Sequence, residues 1–167
     1  SGWFTEAEKT KQFEKMFSKF TGSKYACAVT SGTAGLYLAL NAMGIGSKDE
    51  VIVPDLTFIA SPNSIYANHA KPVLVDIESE SLNMDLDIIE KKITKNTKAI
   101  MTVNFNGRTT DMKRLKEISK KHNLQLIEDA AHSLGSYYNK KHQGTIGNIS
   151  VFSFSTPKII TTGQGGM

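Results

Sequence analysis

The sharpest chemical feature of the sequence is a lysine placed between a predicted strand and a glycine-rich turn. Lys158 ends the segment 152–158, and the turn 162–166 follows it. Desolvation at such a place lowers the pKa of a lysine and frees its amine for Schiff-base chemistry. Five residues earlier, Ser153 could bind a phosphate group. Taken alone, Lys158 could equally be a surface lysine in a loop.

An acidic segment that leaves an apolar strand is the second chemical feature. Asp129 and His132 lie in the segment 128–132, directly after the apolar run 124–127. A carboxylate there could hold a heterocyclic nitrogen protonated, because a nearby negative charge stabilises the protonated form. His132 could donate to an adjacent oxygen. Considered separately, Asp129 could be a helix cap and His132 a packing residue.

The third feature is the segment 31–34, Ser-Gly-Thr-Ala, where a predicted strand passes into a helix. Gly32 allows close approach of the backbone, and the free N–H groups of a new helix favour an anion such as phosphate. A plain serine or threonine cap of the helix is the competing interpretation.

The three segments lie within a predicted alternation of strands and helices, which would determine their positions in the fold. Short β-rich runs predict strands at residues 25–30, 51–54, 72–77, 99–103, 124–128 and 150–154. Helical patterns lie between them at residues 33–43, 59–67, 86–93 and 112–121, and an earlier helix follows a capping box at residues 5–8 and ends at Gly22. Apolar strands alternating with helices indicate an α/β fold with a mainly parallel sheet between helices. In such sheets the ligand binds at the carboxyl ends of the strands, where the three segments fall.

Composition restricts the function classes. The chain has 167 residues and a formal net charge of +4, with its basic residues spread along the sequence, so a nucleic-acid interface is disfavoured. No apolar run approaches the ~18 residues of a membrane span, and a signal-peptide pattern is absent, which favours a cytoplasmic protein. Cys27, in an apolar run, is expected to be a small buried residue. No metal site is predicted.

Five segments in this order resemble one family of enzymes. They are residues 31–34, residues 55–60, Gly107 with residues 111–112, residues 128–132, and residues 152–154 with Lys158. The chain is identified from them as a member of the DegT/DnrJ/EryC1/StrS family of sugar aminotransferases that depend on pyridoxal 5'-phosphate (PLP). The resemblance implies the large domain of a fold-type I PLP enzyme over residues 1–167.

The resemblance implies catalytic roles for three residues. Lys158 would form the Schiff base with PLP and later move protons between the substrate carbon and the cofactor. Asp129 would keep the pyridine nitrogen protonated, so that the ring can act as an electron sink. His132 would meet the phenolic oxygen of the cofactor.

The family pattern also implies which residues hold the cofactor in place. Phe58 would stack on the ring face, while Thr33, Ala34 and Ser153 would hold the phosphate. Two positions depart from the pattern: Gln164 stands where members usually have glutamate, and Asn104 stands where many have histidine.

The implied reaction is transfer of an amino group, typically from glutamate, to a keto-sugar linked to a nucleotide, by a homodimer. Some relatives with histidine at the position of Lys158 are sugar dehydratases, so the lysine favours transamination. A silent fragment or regulatory module that retains the fold is a further alternative.

Both ends of the sequence suggest a fragment, and we expect a small C-terminal domain, and a strand after Gly166, in the whole protein.

Overall fold

The computed structural model describes residues 7–167. The helices are α1 (Glu8–Thr21), α2 (Gly32–Ala42), α3 (Ala60–Ala67), α4 (Leu86–Lys92) and α5 (Met112–Lys121), and a short 3-10 helix spans Phe105–Gly107. The strands are β1 (Glu50–Pro54), β2 (Lys71–Val75), β3 (Thr97–Val103), β4 (Gln125–Asp129), β5 (Tyr137–Tyr138), β6 (Lys141–His142) and β7 (Ile149–Val151). Among these residues no helix is long and apolar enough to cross a bilayer.

Five of the strands form one parallel sheet with the order β2-β1-β3-β4-β7, and β5 and β6 form a separate antiparallel hairpin. Helix α3 connects β1 to β2, α4 connects β2 to β3, and α5 connects β3 to β4. These connections are the parallel crossovers that the alternating pattern predicts. The prediction of an α/β fold with a mainly parallel sheet is therefore confirmed.

The sheet has a hydrophobic core on each face. Successive residues of β1 show the division, because Val51 and Val53 belong to one core and Ile52 belongs to the other. The first core contains apolar residues of α2 and α3, and the second contains those of α4 and α5. Since side chains of a strand alternate between faces, a strand with a helix layer on both sides is apolar at most of its positions.

Residues 25–30 do not form the predicted strand. Only Val29 pairs there, in an antiparallel bridge in which its N–H and carbonyl exchange hydrogen bonds of 3.0 Å with Gly166. A strand requires a partner along its length, and no described residue pairs with residues 25–28 as a strand. The expectation that Cys27 is buried is also wrong, because its side chain is exposed.

The ends of α1 are partly as predicted. Gly22 ends the helix in the left-handed conformation, with φ of 78°, and its N–H donates to the carbonyl of Ser18. The predicted capping box involves Thr5, which lies outside the described residues. The helix begins at Glu8, and the side chain of Ala7 at the N-cap makes no capping hydrogen bond.

A buried glutamate attaches the loop before β7 to the sheet. Glu128 in β4 is fully buried, and its carboxylate accepts backbone N–H groups from Gly144 at 2.8 Å, Ile146 at 2.7 Å and Gly147 at 2.6 Å. Because the loop leads directly into β7, this carboxylate fixes the strand that precedes Ser153 and Lys158.

Replacing Glu128 with glutamine should loosen this loop. An amide keeps one acceptor oxygen and turns a donor toward the loop, so at least one buried N–H loses its acceptor at a cost of about 1–3 kcal/mol. We expect faster hydrogen exchange at the amides of residues 144–147, measured by mass spectrometry. Glu117→Gln, on the exposed face of α5, is the control. Equal exchange in both variants would show that the carboxylate does not hold the loop.

Candidate active site

A cavity of ≈ 340 Å³ lies at the carboxyl ends of the central strands and the start of α2. The predicted chemical residues Asp129, Ser153 and Lys158 line it. A larger groove of ≈ 610 Å³ lies elsewhere, between α1, α2 and β7, and has a mainly apolar lining that includes none of these three residues. The chemistry therefore points to the smaller cavity.

Asp129 ends β4 and is almost fully buried, with 5% of its surface exposed. Its Oδ2 accepts a hydrogen bond of 2.7 Å from Ser61, and its Oδ1 accepts one of 3.1 Å from the N–H of Ala131. Burial raises the pKa of the Asp129 carboxyl, while these two donors and the nearby His132 and Lys158 favour the ionised form. A cationic group in the cavity would meet a carboxylate with little competition from water.

Lys158 lies half-buried in the loop after β7. The base of this loop is closed at Phe154, whose N–H donates to Gly165 and whose carbonyl accepts from Thr162. Desolvation lowers the pKa of Lys158, and the charge of Asp129 acts in the opposite direction. An amine of this kind is more available as a nucleophile than an exposed one.

His132 lies on the cavity wall, three residues after Asp129. Burial is the main cause that lowers the pKa of its imidazole, and the charge of Lys158 lowers it further. Its Nδ1 has no hydrogen-bond partner among the described residues. A neutral imidazole is therefore favoured, which can donate from one ring nitrogen.

The start of α2 forms the other end of the cavity. Ser31 caps this helix, since its Oγ accepts the N–H of Ala34 at 3.1 Å, while the N–H groups of Gly32 and Thr33 have no acceptor among the described residues. A Cβ atom at Gly32 would lie 2.8 Å from the Cβ of Ser153, so glycine allows the helix to approach the strand end. The helix cap therefore does not use up the donors of this helix start: Ser31 accepts one N–H group, and two remain without an acceptor in the described chain.

The structure brings six of the seven predicted site residues to one cavity: Thr33, Phe58, Asp129, His132, Ser153 and Lys158. Phe58 is 66% exposed at the rim. Ala34 does not line the cavity, and its N–H is used by the cap. The roles of all seven remain predictions.

Sequence reasoning missed several residues of the site. Thr57, Ser155 and Gln164 line the cavity, and Ser61 contacts Asp129 from α3. Gln164 was noted only as a departure from the family pattern. Ser61 follows directly after the segment 55–60 and carries no signal of its own, because a serine in the first turn of a helix is common.

Comparison with known proteins identifies the family of this chain. The family model described as "DegT/DnrJ/EryC1/StrS aminotransferase family" matches residues 1–167. The chain belongs to this family. The family predicted from the sequence is therefore confirmed.

Relatives and solved structures extend the comparison. GDP-perosamine synthase of Caulobacter vibrioides is 50% identical over 156 residues, which are 93% of this chain and 42% of that protein. The spore coat polysaccharide biosynthesis protein SpsC of Bacillus subtilis is 44% identical over 167 residues, 100% of this chain and 43% of that protein. The PLP-form of Spr1654 from Streptococcus pneumoniae is 36% identical with a TM-score of 0.95, covering 99% of this chain and 46% of that one.

The chain spans less than half the length of these relatives. Over that span the likeness confirms the predicted fold class, an α/β fold of the fold-type I PLP enzymes. In this fold Asp129, Ser153 and Lys158 lie at the carboxyl ends of the parallel strands.

The lowered pKa of Lys158 can be tested in the ligand-free whole protein. We expect labelling by a limiting amine-reactive reagent, followed across pH by mass spectrometry, to give a midpoint for Lys158 below the ordinary lysine value of about 10.4. Asp129→Asn should lower that midpoint further, because the negative charge of Asp129 favours the protonated amine. Asp87→Asn, at an exposed position in α4, is the control. If the midpoint is the same in the unmodified protein and in both variants, the charge of Asp129 does not influence the amine of Lys158.

Proposed function

We propose that the whole protein is a PLP-dependent aminotransferase that transfers an amino group, from glutamate, to a keto-sugar linked to a nucleotide. The observation that carries the proposal is one cavity that joins the half-buried amine of Lys158, the buried carboxylate of Asp129 and the free N–H groups at the start of α2. Membership of the family and the similarity to GDP-perosamine synthases support it.

The residues of the cavity fit the chemical parts of PLP. A phosphate would bind at the N-terminus of α2 with Thr33 and Ser153, where donors lack acceptors within the described chain. A protonated ring nitrogen would meet Asp129. Phe58 at the rim would cover a ring face, and Lys158 would reach the aldehyde carbon.

PLP, when bound, supplies an electron sink for bonds made and broken at the substrate carbon. The residues of this chain control charge and protons around it. Asp129 would stabilise a positive charge on the ring nitrogen, and His132 would donate to the phenolic oxygen. Lys158 would hold the cofactor through its amine and would carry a proton to or from the substrate carbon.

Transamination is favoured over the two alternatives by the same residues. A dehydratase of this family would carry histidine where Lys158 stands, and a silent module would not need a buried carboxylate beside a half-buried amine. The presence of this amine and this carboxylate in one cavity argues against both. The nucleotide and sugar would contact parts of the protein beyond this cavity, so their identity rests on the relatives.

Homodimerisation of the whole protein is part of the proposal. Tyr37, Leu38 and Tyr66 on α2 and α3 are 39%, 50% and 75% exposed, which is apolar surface that a second copy or the rest of the whole protein would cover. A cytoplasmic location remains a prediction from the sequence.

Reduction with borohydride tests the role of Lys158. When the whole protein is reduced with PLP present, we expect peptide mapping to find the pyridoxyl label on Lys158 alone. Lys158→Ala should lose the label and essentially all turnover while the fold survives, because a half-buried loop residue contributes little to the core. Lys116→Ala, on the exposed face of α5, should keep both. A label on a different lysine would end this assignment.

The reaction itself is tested with glutamate, PLP and a panel of nucleotide-linked keto-sugars. We expect amino transfer by the whole protein, detected by mass spectrometry of the sugar product, and none by the isolated 167-residue chain. Closure over the sugar excludes water and aligns the reactants, and the rest of the protein should supply it. Dehydrated sugar products from the whole protein would favour the dehydratase alternative, and comparable transfer by the isolated chain would contradict the need for the remainder.

A further inference from the structure

A buried serine contacts the carboxylate of the candidate site from a distant part of the chain. Ser61 lies in the first turn of α3 with 0% of its surface exposed, and its Oγ donates to Oδ2 of Asp129 at 2.7 Å. This hydrogen bond joins residues 68 positions apart in the sequence. Its length is that of a strong bond from a hydroxyl to a carboxylate.

Thr57 extends this contact toward the cavity. The hydroxyl oxygens of Thr57 and Ser61 lie 2.8 Å apart. A serine hydroxyl has a single hydrogen, and Ser61 gives it to Asp129, so the hydrogen between the two hydroxyls comes from Thr57. The other acceptor for Thr57, the carbonyl of Phe58, is farther away at 3.3 Å. The chain of donors therefore runs from Thr57 through Ser61 to Asp129.

This direction suits an ionised Asp129. Each hydrogen bond in such a chain polarises the next. Both oxygens of Asp129 accept a hydrogen bond, whereas a protonated carboxyl would carry a donor hydrogen on one of them. Burial disfavours the ionised form, and no Lys or Arg side chain forms an ion pair with Asp129 among the described residues. The N–H of Ala131 is the other direct donor to this carboxylate. The Ser61 hydroxyl and the Ala131 N–H, both neutral, thus provide the hydrogen bonds that water would otherwise make to the buried Asp129 carboxylate.

We infer that Ser61 is a positioning residue that holds Asp129 ionised and aimed into the cavity, with Thr57 orienting the serine hydroxyl, and that it thereby sets the negative charge offered to the ring nitrogen of PLP. The inference rests on the proposed function, because the ring nitrogen belongs to the proposed cofactor. Neither Ser61 nor Thr57 belongs to the site residues predicted from the sequence.

The chain provides a matched control one turn further along α3. Ser64 is also buried, with 2% of its surface exposed, and its Oγ donates to the backbone carbonyl of Ser61 at 2.8 Å. Ser61→Ala and Ser64→Ala therefore remove the same atom from the same helix. They differ in whether the hydroxyl meets the carboxylate.

The experiment compares two ligands in the whole protein. One is PLP, and the other is its analogue in which C–H replaces the ring nitrogen. Ser61→Ala should weaken PLP binding about tenfold, because a hydrogen bond to a charged group is lost. Binding of the analogue, which has no nitrogen to meet Asp129, should stay within about twofold. Ser64→Ala should change neither dissociation constant, and Ser61→Thr, which keeps a hydroxyl, should restore much of the PLP affinity.

Equal weakening for both ligands would mean that Ser61 supports only packing, and unchanged PLP binding would mean that Asp129 does not need it; either result overturns the inference. If Ser61→Ala does not fold, Thr57→Val decides. It should weaken PLP binding two- to threefold and leave analogue binding unchanged, and no difference between the ligands would overturn the inference. Failure of the unmodified protein to bind PLP would instead contradict the proposed function.

Discussion

Two neighbouring carboxylates at the end of β4 are buried. The surrounding structure supplies hydrogen bonds in place of those that water would make to these carboxylates. Glu128 is satisfied by three backbone N–H groups of the loop before β7. Asp129 is satisfied by Ser61 and by the N–H of Ala131. A buried carboxylate is costly unless donors satisfy its oxygens, so these hydrogen bonds are what allow two such groups at one strand end.

Strand geometry gives the two carboxylates different tasks. Consecutive side chains of a strand point to opposite faces, so Glu128 fixes the loop on one side and Asp129 meets α3 and the cavity on the other. One strand end therefore organises both β7, which leads to Lys158, and a carboxylate that lines the same cavity as that lysine. The free N–H groups of α2 complete the cavity from a third direction. An amine, a carboxylate and a pair of free N–H groups are held by different elements that share a single sheet edge.

The sequence predicted those parts of the fold that depend on local pattern. Residues 99–103 are apolar except for the buried Thr102, because both faces of β3 are covered, and the run was therefore visible as a strand. Residues 25–30 carry a similar composition but lack a partner strand over most of their length, which no local pattern reveals. For the same reason Cys27 was expected to be buried and is exposed.

The residues of the candidate site likewise include some that the sequence indicated and some that it did not. Lys158 and Asp129 could be predicted because their residue types are unusual beside apolar strands. Ser61 could not, because its function depends on a contact with a residue 68 positions away and its type is ordinary for a helix start. Glu128 lay inside a recognised segment, but its partners are backbone groups of a loop, which carry no side-chain signature.

The closed base of the loop that carries Lys158 has a kinetic consequence. Backbone hydrogen bonds at Phe154 tie both ends of this loop together, so Lys158 is tethered to the edge of the cavity by a short closed loop. Its return to a carbon in the cavity would be an intramolecular step, governed by an effective concentration far above that of any free amine in solution. Small amines in the surroundings would then compete poorly for the same carbon. Selectivity against them would come from the tether, without any need to exclude them by size or charge.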